Sequence, residues 1–580
     1  MNTEPDLTRL PRTLMISVSF IQGVLLLILY RLLEAEKWPD GDPISTFVLA
    51  TGLGVIPIFF LLLLDENNLR KSLRCLAAYA VVIIGTAAYS GLQQMPEEFV
   101  RNSNLIPVFV LTMGIASFKA LMYSQEYCLD KGINYSSLFH YSWRNFLLFC
   151  LACLFAGLSI GLLMLWGGLF SLIEVNFFSD LFKQDWFLFP ATTTAFGFAV
   201  IIFRSLSNII DSVAKLLKTM IKFLLPVLAL VALMFILFLP FTGLQPLWDT
   251  RFGSAMMLWL QALLLFSVNG VYQGNSEEQP YPLWMHRLIY AGIATLPIYS
   301  IIAFHGIFTR INQYGLTVSR CWAVIVALIL ACFAFGYLWG IIRNKDRWLL
   351  GLAKVNISMG LIVMALMVLV NSPIVNLQSI SVKSQIARVE DGKITPDELD
   401  LYYFRSSLGR QGYLALQNFS ERWGEEYPVV ATDIERIYAE PIPWERPDNE
   451  EEVASFVTTW PADREVPDFI YEDILSNSYT NYSQYYVMFI DLNEDNQEEI
   501  ITLFENEAFY SQGKIWTRTE SPSQEAEWPS TPYRFDRSVR PPAIRQAIEN
   551  GDIEIITPAW NNLRIGEGLI VPVDSGPALF

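Results

Sequence analysis

The stretch Phe146–Ile173, FLLFCLACLFAGLSIGLLMLWGGLFSLI, runs 28 residues without a charge. A helix needs about 20 apolar residues to cross the hydrocarbon of a bilayer, and lipid offers no water to satisfy the backbone of any more open form. This run is longer than that, so its helix is either tilted or extended beyond the bilayer. Ten further apolar runs flank it: Leu14–Leu33, Ile44–Leu64, Cys75–Leu92, Leu105–Tyr123, Phe187–Phe203, Phe223–Phe241, Ala255–Val271, Leu288–Phe308, Cys321–Ile342 and Val355–Val370. The expected fold is an all-α polytopic membrane bundle of eleven transmembrane helices, followed by a soluble α+β domain. The first run begins with basic residues as a signal sequence does. It is too long for a cleaved segment, and Glu34-Ala35-Glu36 is a poor cleavage site, so it reads as an uncleaved anchor.

The composition agrees. Of 580 residues, 53% are hydrophobic and 17% charged, and the mean hydropathy is +0.35. Soluble globular chains carry about a quarter charged residues. The balance excludes a purely soluble enzyme, a disordered chain and an ordinary basic nucleic-acid binder. Four of the six cysteines are scattered, and Cys150 and Cys153, although spaced as CxxC, lie inside the longest apolar run. Neither a disulfide framework nor a zinc knuckle is implied.

Charge divides the chain. Residues 376–580 hold 37 acidic against 16 basic side chains, whereas residues 1–375 hold 20 acidic against 24 basic. Three regions result: a transmembrane helical domain over 1–375, a helical collar just outside the last span over 376–438, and an acidic α+β domain over 439–580. Basic residues in short loops favour the cytoplasm. With the N-terminus inside, the cytoplasmic segments hold 16 Lys and Arg and the opposite ones 6. Eleven spans then place the N-terminus in the cytoplasm and the acidic domain outside it.

Within the membrane half, no span has Asp or Glu near its middle, which weakens an ion-coupled carrier. Lys119 and Arg204 lie near predicted cytoplasmic ends, where long side chains snorkel to the headgroups. Gly157 and Gly161 form a GxxxG pair, read as packing within the bundle. Between the sixth and seventh spans, Ile210, Val213, Leu217 and Ile221 share a helical face opposite Asp211, Lys215, Lys218 and Lys222, the pattern of a basic amphipathic helix in the interface.

The segment Arg310-Ile311-Asn312-Gln313-Tyr314-Gly315-Leu316-Thr317-Val318-Ser319-Arg320 is a polar outer loop with two arginines on the side where arginine is scarce. Gly315 permits a tight turn and Thr317 can cap the next helix. Arg310 and Arg320 suit headgroup phosphate or the acidic domain; an ordinary connecting loop is the alternative. The string Tyr314-Gly315-Leu316-Thr317-x-x-Arg320 resembles a motif of a bacterial membrane-protein family catalogued as domain of unknown function 4153. Ser384-Gln385 through Asp400, Tyr403, Arg405, Gly409, Arg410, Gly412 and Leu416 is similar to the segment after the last span in that family. The resemblance covers roughly Leu14 to Leu416 and implies a polytopic protein of the bacterial inner membrane. It brings no activity or catalytic residues.

In the collar, Thr395-Pro396-Asp397-Glu398 reads as a capping box, with a helix running to about Ser406 and a second continuing past Gly409 toward Trp423. Residues 438–468, rich in Pro and acids, read as linker. Strands are expected at Tyr485–Ile490, Glu499–Phe504, Ile515–Thr519, Ile553–Ile556 and Leu569–Val573, with a helix at Pro542–Glu549. Between the first two strands, Asp491, Asn493, Asp495 and Glu499 alternate as oxygen ligands for calcium. The pattern resembles Asp-x-Asn-x-Asp loops of dockerin-like proteins. It departs from an EF-hand in having Asn496 where Gly belongs and Thr502 where a bidentate Glu belongs. A solvated acidic hairpin turn is the alternative.

All three histidines (His140, His286 and His305) lie in the membrane half. The acidic domain has neither His nor Cys, which excludes Ser–His and Cys–His catalysis there. The expected function is a non-enzymatic sensor, binding or envelope scaffold protein presenting a periplasmic domain. Its partners would be the lipid bilayer and an envelope protein or small-molecule ligand, without nucleic acid, and calcium is the one candidate cofactor. The alternative is a transporter with the C-terminal domain as gate or substrate receptor.

Overall fold

The computed structural model describes residues 11–64, 68–100, 104–128, 132–250, 252–272, 280–345 and 348–439. Further along it describes 453–454, 457–462, 464–476, 482–492, 497–506, 510–517, 519–520, 526–527, 530–534, 563–565 and 568–570. The chain divides into two compact units, Met1–Ile434 and Glu435–Phe580. The collar as far as Ile434 therefore belongs with the membrane helices.

In the first unit the helices are α1 (Arg12–Glu34), α2 (Pro43–Leu63), α3 (Leu69–Leu92), α4 (Leu105–Cys128), α5 (Tyr135–Ser171), α6 (Phe177–Lys183), α7 (Asp185–Ser205) and α8 (Ser207–Thr242). They continue with α9 (Gln245–Asp249), α10 (Gly253–Val271), α11 (Leu283–Ala294), α12 (Leu296–Tyr314), α13 (Val318–Asn344) and α14 (Leu349–Leu369). Among the described residues there are 11 helical spans long and apolar enough to cross a membrane, with α11 and α12 together forming one. That span is interrupted at Thr295, just before Pro297. Proline removes an amide donor and crowds the preceding turn, so a break is expected there.

Two features differ from the expectation. The basic amphipathic segment after α7 is not a separate helix: it is the start of α8, 36 residues long. Propagating an existing helix costs less than nucleating a new one, and no Pro or Gly interrupts residues 207–225. The GxxxG pair does not pack in the bundle, for a Cβ on Gly157 or Gly161 would meet nothing within 4 Å. Glycines at close helix crossings include Gly23, against Pro190 and Thr193, and Gly197, against Ser19, where α1 lies along α7, as well as Gly91 against Ile44 of α2 and Gly292 against Ala229 of α8.

The helices bury two apolar cores. One gathers Met15, Phe59, Ile83, Ala152 and Val200 from α1, α2, α3, α5 and α7. The other gathers Leu225, Leu264, Ile293, Tyr299 and Tyr337 from α8 and α10–α13. Some helices serve both, α8 and α14 through buried residues. Ile210 near the start of α8 and Met367 near the end of α14 lie in the first core, while Leu225 and Leu352 of the same helices lie in the second.

After α14 come α15 (Leu377–Glu390), a 3-10 turn (Pro396–Glu398), α16 (Leu401–Ser407), α17 (Gly409–Trp423) and α18 (Pro428–Ala439). The Thr395/Glu398 capping box is present but starts only that turn. Asp400 restarts the chain as α16, accepting the Tyr403 backbone N–H at 2.9 Å.

The second unit contains α19 (Asp468–Ser476) and strands β1 (Val457–Trp460), β2 (Tyr482–Ile490), β3 (Glu499–Asn506), β4 (Tyr510–Trp516), β5 (Thr519–Glu520), β6 (Ala526–Glu527), β7 (Ser530–Arg534), β8 (Leu563–Ile565) and β9 (Gly568–Ile570). One sheet has the order β1-β2-β3-β4-β7. β1 runs parallel to β2, and the other neighbours are antiparallel. Alternation along β2 sends Tyr485, Val487 and Phe489 into one core with Ile470 and Ile474 of α19, and Tyr486 and Met488 into another with Ile501 and Leu503. The segment read as linker thus contains a strand, β1, too short for its period to register. β4 begins earlier than expected because Gly513 and Lys514 mask its pattern. The expected helix Pro542–Glu549 and strand Ile553–Ile556 lie outside the described residues.

Candidate functional site

The expected loop Arg310–Arg320 narrows to Gly315–Thr317, because Arg310–Tyr314 continue α12 and Val318–Arg320 begin α13. These three residues and the helix ends beside them form a short strap that α15 grips through backbone atoms. Ser381, Ser384, Gln385 and Arg388 recur at helical spacing and so share one face of α15. Ser384 Oγ accepts the Leu316 N–H at 2.9 Å, and Ser381 Oγ donates to the Leu316 carbonyl at 3.0 Å. Gln385 Nε2 donates to the carbonyls of Tyr314 (3.1 Å) and Leu316 (3.0 Å), and Arg388 donates to that of Tyr314 at 3.2 Å. Tyr403 of α16 closes the arrangement. Its hydroxyl accepts the Val318 N–H at 2.8 Å and shares a 2.9 Å hydrogen bond with Ser381. Burial pushes the Tyr403 phenol above its ordinary pKa.

Gly315 has φ +71°, and a Cβ there would lie 2.8 Å from Arg388 Cδ and 2.9 Å from Gln385 Nε2. Both the left-handed backbone and the close approach require glycine. Thr317 caps α13, its hydroxyl accepting the Arg320 N–H at 3.4 Å. The Arg320 guanidinium turns back on the strap, donating to the carbonyl of Gly315 at 2.8 Å and packing over the Tyr314 ring. Of the two arginines suited to an anion, Arg320 is thus engaged with the backbone, and Arg310 stands exposed on α12.

The collar also holds a second loop, between α3 and α4. Arg410 donates its backbone N–H to the Gln93 carbonyl (3.0 Å) and its guanidinium to the Met95 carbonyl (3.1 Å). Tyr413 stacks on Phe99, with ring centroids 5.5 Å apart. α3 belongs to the first core and α12 to the second, while α13 packs on the first through Trp322 and on the second through Ala334 and Tyr337. The collar therefore ties the two cores together at one face of the bundle.

A polar cluster lies toward the opposite face, around the buried Tyr337. Asn269 Oδ1 of α10 accepts from Tyr337 Oη (2.9 Å), from Asn356 Nδ2 (2.6 Å) and from Tyr135 Oη (3.2 Å). The single Tyr337 hydroxyl proton is shared between that oxygen and Asn356 Oδ1, which lies 2.6 Å from Tyr337 Oη. Four helices converge on one amide. No spacing in the sequence pointed to it, because its members come from α5, α10, α13 and α14. Arg204, expected to snorkel, instead donates to the carbonyls of Leu61 and Leu64, both at 2.7 Å, and so closes the end of α2. Lys119 is half-buried along α4.

In the second unit, Asp491 and Glu499 flank the β2–β3 turn, and Asn493 and Asp495 lie outside the described residues. Glu499 is buried at the start of β3, where its Oε2 accepts the Leu492 N–H at 2.8 Å. Among the described residues no three His, Cys, Asp or Glu side chains gather as metal ligands.

Eleven apolar helices around two cores define a multi-pass membrane protein. Residues 23–419 match the family described as domain of unknown function (DUF4153), and the chain belongs to it. The matched region reaches from α1 through α17 and so includes the strap and the collar that grips it. No curated protein and no solved structure matches the chain.

Proposed function

We propose that this is a non-enzymatic receptor or scaffold of a bacterial inner membrane, in which the collar couples both helical cores to a C-terminal domain held outside the cytoplasm. One observation carries the reading: α15–α17 grip the backbone of a loop from each core, at Gln93–Met95 and at Tyr314–Val318. Such a clamp resists movement of one core relative to the other and would relay a change in the chain that follows it. The excess of Lys and Arg in loops at the opposite face supports a cytoplasmic location for that face. In this reading the domain binds an envelope protein or a small molecule, and calcium at Asp491, Asn493, Asp495 and Glu499 would brace its β2–β3 turn.

A transporter with the C-terminal domain as gate is the second reading. The Asn269 cluster and the broken α11–α12 span favour it, since carriers use interrupted helices and polar groups between helices. Reconstitution of the full chain into sealed liposomes separates the two. Flux of an ion or solute that is lost in Asn269→Ala would establish the transporter. No flux, together with a cellular phenotype abolished by truncation after Ile434, is the outcome expected of the receptor.

A further inference from the structure

A cavity of about 370 Å³ opens between the N-terminal turns of α5 and α8, lined by His140, Trp143, Arg144, Asp211, Lys215 and Lys218 above a floor of Ile210 and Ala214. Three basic side chains face one carboxylate there. α5 is 37 residues long and α8 is 36, so each extends about 55 Å against a hydrocarbon core of about 30 Å. The apolar runs begin at Phe146 and Phe223, so the cavity lies just beyond them, at the depth of lipid headgroups. Its floor is firm, since Ile210 and Ala214 are buried in the first core. Lys218 is held over the Phe139 ring, its Nζ 4.7 Å from the centroid, which fixes one cation at the wall.

We infer that this cavity binds a phosphate-bearing anion, with Arg144, Lys215 and Lys218 supplying the charge and Trp143 the interfacial wall. Arginine's planar fork suits two phosphate oxygens, and lysine adds point charge. Asp211 opposes the anion and sets an upper limit on affinity. The same chemistry is offered by a phospholipid headgroup and by free phosphate, and the depth of the site favours the lipid. This inference is independent of the receptor reading.

The test uses the full chain in neutral detergent, with phosphatidylglycerol or phosphatidylcholine added and retained lipid counted by native mass spectrometry. Each lysine near an anionic headgroup contributes about a factor of five, so Lys215→Gln with Lys218→Gln should cut phosphatidylglycerol retention about 25-fold and leave phosphatidylcholine unchanged. Asp211→Asn should raise retention several-fold. That gain cannot come from misfolding. Phosphate binding by lipid-free protein, lost in the double variant while phosphatidylglycerol retention stays the same, would assign the site to the free anion. Equal retention of phosphatidylglycerol and equal phosphate binding in all variants would overturn the inference.

Discussion

Val318 donates its backbone N–H to the hydroxyl of Tyr403 at 2.8 Å, a bond between residues 85 apart in sequence. It joins the first turn of a membrane-crossing helix to the collar that follows the last one. Because Tyr403 also shares a hydrogen bond with Ser381, one phenol links α13, α15 and α16.

Tyr403→Phe should therefore leave the Val318 N–H without its acceptor and take one bond from the Ser381 hydroxyl. An unsatisfied buried polar group costs about 1–3 kcal/mol, and the thermal midpoint of the purified chain should fall accordingly. Hydrogen exchange at the Val318 amide should accelerate in this variant. Ser381→Ala, which keeps the Val318–Tyr403 bond, should leave that amide protected.

The same phenol carries a pH dependence. Burial raises its pKa above the ordinary value of 10.0, so the folded state favours the protonated form. Its contribution is complete below the unfolded-state pKa and is lost as pH rises through the folded value. Ultraviolet difference titration of wild type against Tyr403→Phe should show one tyrosine ionising later than free tyrosine. Ionisation at or below about pH 10 would contradict this.

Gly315→Ala should loosen the strap, because a methyl group there meets Arg388 and Gln385 and the backbone has φ +71°. Strain of this kind costs about 1–3 kcal/mol. Hydrogen exchange at the Leu316 and Val318 amides should accelerate. Gly161→Ala, where a Cβ meets nothing within 4 Å, should change neither exchange nor melting.

Arg204→Lys distinguishes a cap from a snorkelling cation. The guanidinium reaches two carbonyls, of Leu61 and Leu64, at once, and an ammonium lacks that fork. A hydrogen bond to a charged group contributes about 1.5–3 kcal/mol, so a clear loss of stability is expected. A neutral outcome in a melting or unfolding assay would return Arg204 to the headgroups.

Glu499→Gln probes the β2–β3 turn. The carboxylate accepts the Leu492 N–H at 2.8 Å, and the amide retains an acceptor oxygen but no charge. A loss of about 1 kcal/mol is expected from weakening one charge-assisted bond. If calcium also uses this group, the rise in melting temperature on adding calcium to the full chain should disappear in the variant.

The amino-acid sequence by itself determined the eleven crossings, because entry into hydrocarbon depends on the local run of apolar residues and on little else. It also determined the hairpin of β2 and β3, whose alternation is a property of each strand. Thr317 and Gly315 were legible as cap and turn for the same reason: their roles are set within a few residues. What holds the strap was not legible. The polar stripe Ser381, Ser384, Gln385 and Arg388 announces a face but names no partner, and its partner is a backbone more than 60 residues earlier. The Asn269 cluster, the Arg204 cap and the division into two cores are likewise products of tertiary structure. Periodicity tells that a helix has a face to bury, whereas only the packing of distant helices decides which buried donor meets which acceptor. The outward GxxxG pair makes the same point in reverse, since small residues permit a close approach but do not require one.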